Sequence, residues 1–157
     1  MRGNRLGFTL IELIVVIILI GIVSSYAASR YVGVGSFSTY AAQEQAISII
    51  RQLQVYRMQS NVSSANTSFQ LTASDGCIGS TEGCAAASSP AEANERGDVM
   101  RIDGVTVTST TSPIDFDLLG NPLNAASAGV SINLTNGSET TSVCINSQGY
   151  VRRGACL

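Results

Sequence analysis

The 157-residue sequence predicts an α+β chain, a long N-terminal α-helix whose first half is transmembrane, packed on one antiparallel β-sheet. Three observations carry this expectation. Apolar residues are concentrated before residue 30, with a single charge, Glu12, in residues 8–28. Residues 29–60 contain no proline and are rich in helix-compatible side chains. From residue 69 onward, short alternating apolar segments are separated by Gly, Asn and Asp, the pattern of strands and turns. The expected boundaries are a helix over 8–60 and a β domain over 61–157.

Residues 8–28 at about 1.5 Å rise per residue span roughly 30 Å, enough to cross a hydrocarbon core. Arg2 and Arg5 precede the run, so the positive-inside rule places the N-terminus in the cytoplasm and residues 30–157 outside. Three readings of this segment compete: a cleaved secretory signal ending among the small residues 25–29, a plain membrane anchor, and an assembly segment. Glu12 separates them. A carboxylate near the bilayer interior costs about 2.5–3.5 kcal/mol on insertion scales, a cost without return in a signal peptide or a simple anchor.

Composition narrows the chemistry. Only 13% of residues are charged, against roughly a quarter in ordinary soluble domains. All nine basic residues are Arg, and the net charge is −2, so the chain as a whole is no obvious polyanion binder. There is no His, which excludes Ser-His-Asp and Cys-His arrangements. No phosphate-binding loop follows a strand, and the sequence is read as that of a non-enzyme, with no catalytic residue, cofactor or metal assigned. The four cysteines, Cys77, Cys84, Cys144 and Cys156, all follow the apolar run and read as disulfides of an extracytoplasmic domain. They allow three pairings. Cys77 with Cys84 and Cys144 with Cys156 are favoured because each closes a short loop.

The residues around the start of the apolar run, Gly7, Phe8, Thr9, Leu10, Ile11 and Glu12, resemble the type IV prepilin leader signature. The resemblance implies a leader over 1–7, cleavage between Gly7 and Phe8 by a membrane-embedded prepilin peptidase, and N-methylation of Phe8. It also implies assembly with other pilin or pseudopilin subunits through residues 8–28, with Glu12 pairing with the N-terminal amine of a neighbouring subunit. Such a protein resides in the bacterial inner membrane as a single-pass protein with a periplasmic C-terminal domain, then in a pilus or pseudopilus. Loss of Arg2 and Arg5 with the leader takes the net charge to −4. Residues 114–122 and 143–151, with the Cys156 terminus, look like H-type pseudopilins of type II secretion and minor pilins of the mannose-sensitive haemagglutinin (MSHA) pilus. The expected role is a structural minor pilin or pseudopilin subunit.

Along the rest of the chain, Gly33 and Gly35 weaken the helix at about 1 kcal/mol each relative to Ala. Beyond them, Phe37, Tyr40, Ala41, Ile47 and Met58 fall on one side and Ala46, Ile49, Ile50, Leu53 and Tyr56 on another, predicting burial on more than one side. Strands are expected at 69–72, 99–102, 105–108, 114–117, 130–134, 141–145 and 150–153. Asp103-Gly104 and Asn136-Gly137 read as hairpin turns, and 75–90 as a loop.

Two candidate sites remain. Arg152 and Arg153 form the one concentrated basic patch and loosely resemble the C-terminal end of DNA-binding minor pilins of the FimT type, with Tyr150 where the first Arg would stand. This supplies the alternative reading, a filament-tip module that contacts nucleic acid or a surface. Adjacent arginines on a strand point to opposite faces, a poor geometry for a clamp. Asp115 and Asp117 share a strand face, thin support for calcium against an ordinary polar face. The N-x-Ser/Thr triplets at Asn61, Asn66, Asn133 and Asn136 are assigned no role.

Overall fold

The computed structural model describes residues 9–31, 34–63, 66–137 and 139–156, with side-chain environments in the N-terminal helices given for 9–24 and from Thr39. The chain divides into two units, Met1–Gly35 and Ser36–Leu157.

The first unit holds helix α1, Leu10–Tyr31. Thr9 starts it, its hydroxyl accepting a hydrogen bond from Glu12 N at 3.3 Å while its carbonyl accepts from Leu13 N. That satisfies one of the free N–H groups of the first turn, the ordinary work of a threonine cap. Every large apolar side chain from Leu10 to Val23 is at least 40% exposed, so the helix is apolar on all faces. Among the described residues no helix is long and apolar enough to cross a membrane. The side chains described in α1 end at Ser24 and fall short of the about 20 residues that a span needs. Gly33 lies outside the described residues, and Gly35 falls in the next helix, α2, Val34–Gln59.

The second unit packs α2 on two antiparallel sheets. The buried stripe of α2 runs through Thr39, Ala42, Gln43, Ala46, Ile50, Leu53, Gln54 and Arg57, widened by Ile47 and Ile49. This is helical spacing on a single broad face. Tyr40, Ala41, Tyr56 and Met58 are exposed, so within this chain the two-sided burial expected from the sequence reduces to one side. The expected single sheet is also replaced by two, of order β1-β2-β3 and β4-β5-β6-β7. The first comprises Leu71–Ser74, Cys77–Ser80 and Val99–Arg101; the second comprises Thr106–Ser109, Val130–Asn136, Glu139–Ile145 and Val151–Arg153.

The turn geometries match the split. Asp75 and Gly76 both have positive φ, 51° and 71°, and close a two-residue hairpin in which Ser74 faces Cys77. That conformation matches the twist of its strands. At Asp103-Gly104 only Gly104 has positive φ, with Val105 N bonded to Ile102 O. This is a type II turn, which splays its flanks, so β3 pairs with β2 and β4 pairs with β5 instead of with each other. Along the seam between β1 and β4, serine hydroxyls replace ladder bonds. Ser109 Oγ donates to Ala73 O, and Ala73 N donates to Ser112 Oγ.

Three further expectations are corrected. Residues 75–90 are not a loop: they include β2 and helix α3, Thr81–Ala86, capped by Ser80 and followed by α4, Pro90–Asn94, with a Ser89–Glu92 capping box. Residues 114–117 form no strand but single bridges, Leu71 to Ile114 and Phe116 to Pro122; beyond the first bridge Pro113 has no N–H to donate and Ala73 N is taken by the Ser112 hydroxyl. Finally, Asn136 pairs with Glu139, which places Gly137, φ 59°, at the first position of the turn rather than the second.

The core is continuous from α2 through both sheets, with Ile50, Leu53, Leu71, Ile78, Ile114, Phe116, Ile132, Leu134 and Ile145 fully buried. A smaller cluster of Cys77, Cys84, Ala87, Ala93 and Val99 sits under α3 and α4. It is tied by the Cys77–Cys84 disulfide, Cα atoms 6.0 Å apart; Cys144–Cys156, at 5.0 Å, fastens the C-terminus to β6.

Candidate functional site

The candidate assembly segment begins at residues 7 and 8, and Gly7 and Phe8 lie outside the described residues. From Thr9 the geometry is given. The Thr9 cap places Glu12 in the first turn of α1, where a carboxylate interacts favourably with the positive end of the helix dipole. Its side chain is exposed and has no ion pair or hydrogen bond among the described residues. Around it, Leu10, Ile11, Leu13, Ile14, Val15 and Val16 are all exposed. A helix apolar on every face is stable in water only when surrounded, by lipid or by other helices. In either environment the Glu12 charge calls for a cation brought by another molecule.

The second candidate, the C-terminal basic patch, does not converge. Val151 is buried, Arg152 half-buried and Arg153 exposed along β7. Arg153 Nε pairs with Glu44 Oε1 at 2.6 Å, and that hydrogen bond, reinforced by the carboxylate charge, raises the pKa of its guanidinium. Arg152 folds back onto its own chain, donating to Arg153 O at 3.2 Å and Ala155 O at 3.1 Å. Each guanidinium is thus engaged within the domain.

The aspartates form a turn. Asp117 Oδ1 accepts from Leu119 N and Asn121 N, both at 2.8 Å, and Oδ2 accepts from Asn121 Nδ2 at 2.9 Å. Burial pushes this carboxyl up, but the hydrogen bonds from Asn121, Leu119 and Gly120 outweigh it and hold its pKa below the ordinary value. Asp115 accepts from Gln70 and Asn124 instead. Among the described residues no group of three or more His, Cys, Asp or Glu is placed to hold a metal.

The sequence reading missed the buried polar side chains of α2 that position the turns. Gln54 Nε2 donates to Gly120 O at 2.9 Å and to Gly149 O at 2.7 Å, drawing two distant turns onto the helix. Arg57 Nε donates to Phe116 O at 2.9 Å, and its Nη1 donates to Ser60 Oγ and Val62 O. Gln43 Nε2 donates to Ser142 O, and Arg51 Nη2 to Val151 O. The available signal was their spacing: Gln43, Ala46, Ile50, Leu53, Gln54 and Arg57 share the apolar stripe.

Residues 2–28 match the prokaryotic N-terminal methylation motif. No curated protein and no solved structure matches the chain. The motif marks a precursor of the kind processed by prepilin peptidase and assembled with other pilin subunits. A methylation motif opening onto an apolar helix, followed by a helix packed on antiparallel sheets, supports a likeness to type IV pilin-like proteins.

Proposed function

We propose that the chain is a structural minor pilin or pseudopilin subunit, cut at Gly7–Phe8, methylated on Phe8 and assembled through residues 8–28. It is held before assembly in the inner membrane, N-terminus cytoplasmic and β domain periplasmic, then incorporated into an MSHA-like type IV pilus or a type II secretion pseudopilus. The observation that carries this reading is Glu12, the one charge in residues 8–28, standing in the first turn of a helix whose apolar side chains are exposed on every face. The new amine of Phe8 on a neighbouring subunit is the natural counter-charge, and its pairing in a low-dielectric filament core would fix axial register. The role is mechanical, with no catalytic step assigned.

The test is Glu12→Ala in the native host. Leader removal should proceed normally, while incorporation into filaments, measured by immunoblot of sheared fractions, should be abolished. Normal incorporation of the variant sinks the proposal.

The filament-tip reading draws on Arg152 and Arg153, and their engagement with Glu44 and with backbone carbonyls weakens it. A mobility-shift titration with the processed protein should give no salt-dependent DNA retention; retention that is lost in the Arg152→Ala, Arg153→Ala double variant would favour the tip module instead.

A further inference from the structure

An open groove of about 330 Å³ lies on the second unit, between the C-terminal half of α2 and the turns at Gly120 and Gly149. Its shape is set by the fold. Gln54 Nε2 donates to both Gly120 O and Gly149 O. A side chain at Gly149 (φ 78°) would strike Gly120 O, so the two turns meet there backbone to backbone. Val55, Met58 and Leu119 stand open around the groove, the last of them 77% exposed. Asp117 Oδ1 accepts from Leu119 N and Asn121 N, so this leucine is presented by a hydrogen-bonded turn.

The polar groups of this groove are unbalanced. Gly120 O and Gly149 O are already bonded by Gln54, and no carboxylate lines the groove. The side-chain groups left over are donors. Arg51 spends only Nη2, on Val151 O at 2.9 Å, and among the described residues it has no ion pair, so its other N–H groups are open to a ligand. Gln148 accepts from Asn146 through Oε1 and keeps its Nε2. A held cation, a second donor and an apolar wall call for a ligand with an anionic acceptor beside an apolar group. The volume is at the small end of ligand sites, with room for a terminal residue rather than a folded segment. A polypeptide C-terminus carries the carboxylate and an apolar side chain on the same Cα. We propose that the groove captures the C-terminal residue of another polypeptide, one ending in a large apolar side chain. The terminal carboxylate meets Arg51 and Gln148, and the side chain lies against Val55, Met58 and Leu119. This is a receptor site on the second unit, and it uses no residue of the N-terminal helix.

The test is a fluorescence-anisotropy titration of the full-length protein in detergent micelles, with a fluorescein-labelled peptide, Gly-Ser-Gly-Ser-Ala-Leu, as the probe. The free acid should bind saturably, and its C-terminal amide about tenfold more weakly, the loss expected when a charge-assisted hydrogen bond is removed. Arg51→Gln should weaken the free acid by the same factor of about ten without further weakening the amide, since both changes delete one contact. Arg51→Lys should bind more tightly than Arg51→Gln, which separates loss of charge from loss of fold. Leu119→Ser should weaken acid and amide alike. Equal binding of acid and amide, the result expected if the peptide only partitions into detergent, would overturn the proposal. So would indifference to Arg51→Gln, equal binding of a blocked peptide with an internal Glu, or displacement of the probe by an equal concentration of octanoate, which would mark a site for simple aliphatic acids.

Discussion

Replacing Gln54 with Leu keeps the bulk of a buried side chain and deletes both donors that hold the 120 and 149 turns to α2. Each lost hydrogen bond removes roughly 1 kcal/mol of net stability, and each carbonyl left without a partner near the helix adds a desolvation penalty of about 1 kcal/mol or more. The turns border an open surface, which offsets part of that penalty, so the expected loss is about 2–3 kcal/mol. For a domain the size of Ser36–Leu157, 1 kcal/mol moves the midpoint by about 3–4 °C, giving a decrease of about 6–12 °C. The assay is thermal unfolding of the processed, disulfide-intact protein in detergent, followed by circular dichroism in the β region. Gln52→Leu serves as the control, because Gln52 bonds only the exposed Tyr56 hydroxyl and should shift the midpoint by less than about 2 °C. Equal effects at the two positions would refute the assignment of Gln54 as the pin between helix and turns.

Three further outcomes follow from the same structure, beside the filament test on Glu12. Replacing Cys144 and Cys156 together with Ser opens the loop that ties the C-terminus to β6 and should cost about 2–4 kcal/mol, read as a lower unfolding midpoint under non-reducing conditions. Asp98 accepts from both Arg96 nitrogens at 3.0 and 3.1 Å and from Ser80 Oγ; burial pushes its carboxyl up, but the Arg96 and Ser80 contacts prevail and its pKa stays below the ordinary value. A depressed carboxyl adds stability that is complete above its unfolded value, about 3.9, and is lost as pH falls from there through the folded value. Asp98→Asn should therefore unfold at a lower temperature at pH 7 yet show a shallower decline between about pH 4 and pH 2; a parallel decline in both proteins would contradict this. The arginine patch should leave DNA unbound at any salt concentration, and a mobility-shift titration decides it.

Two Asp-Gly pairs show what a local reading can and cannot reach. Asp103-Gly104 lies between alternating apolar runs and reads as a hairpin, whereas Asp75-Gly76 lies beside small residues and reads as loop. In the fold the second makes the hairpin and the first joins two separate sheets. The dipeptide permits either backbone. Which one forms depends on whether the flanking strand finds a better partner elsewhere, and β5 offers β4 a register from Thr106 to Ser109. The Ser89-Pro90-Ala91-Glu92 box is a signal that the loop expectation for residues 75–90 passes over, although a capping box joins residues only three apart. Residues 114–117 alternate as a strand does, yet form only single bridges, because alternation reports burial on one face and not whether an edge is free to pair.

The N-terminal segment is the part of this protein that its sequence determines unaided. An apolar run, a threonine cap and one carboxylate act through neighbours within four residues, and their chemistry holds wherever the helix is placed. The two turns pinned to α2 are the opposite case. Gln54 meets Gly120 at a separation of 66 residues and Gly149 at 95, so no window along the chain contains the site. Local hydrogen bonding and hydropathy write the N-terminal helix; long-range packing against α2 decides what surface the β domain presents.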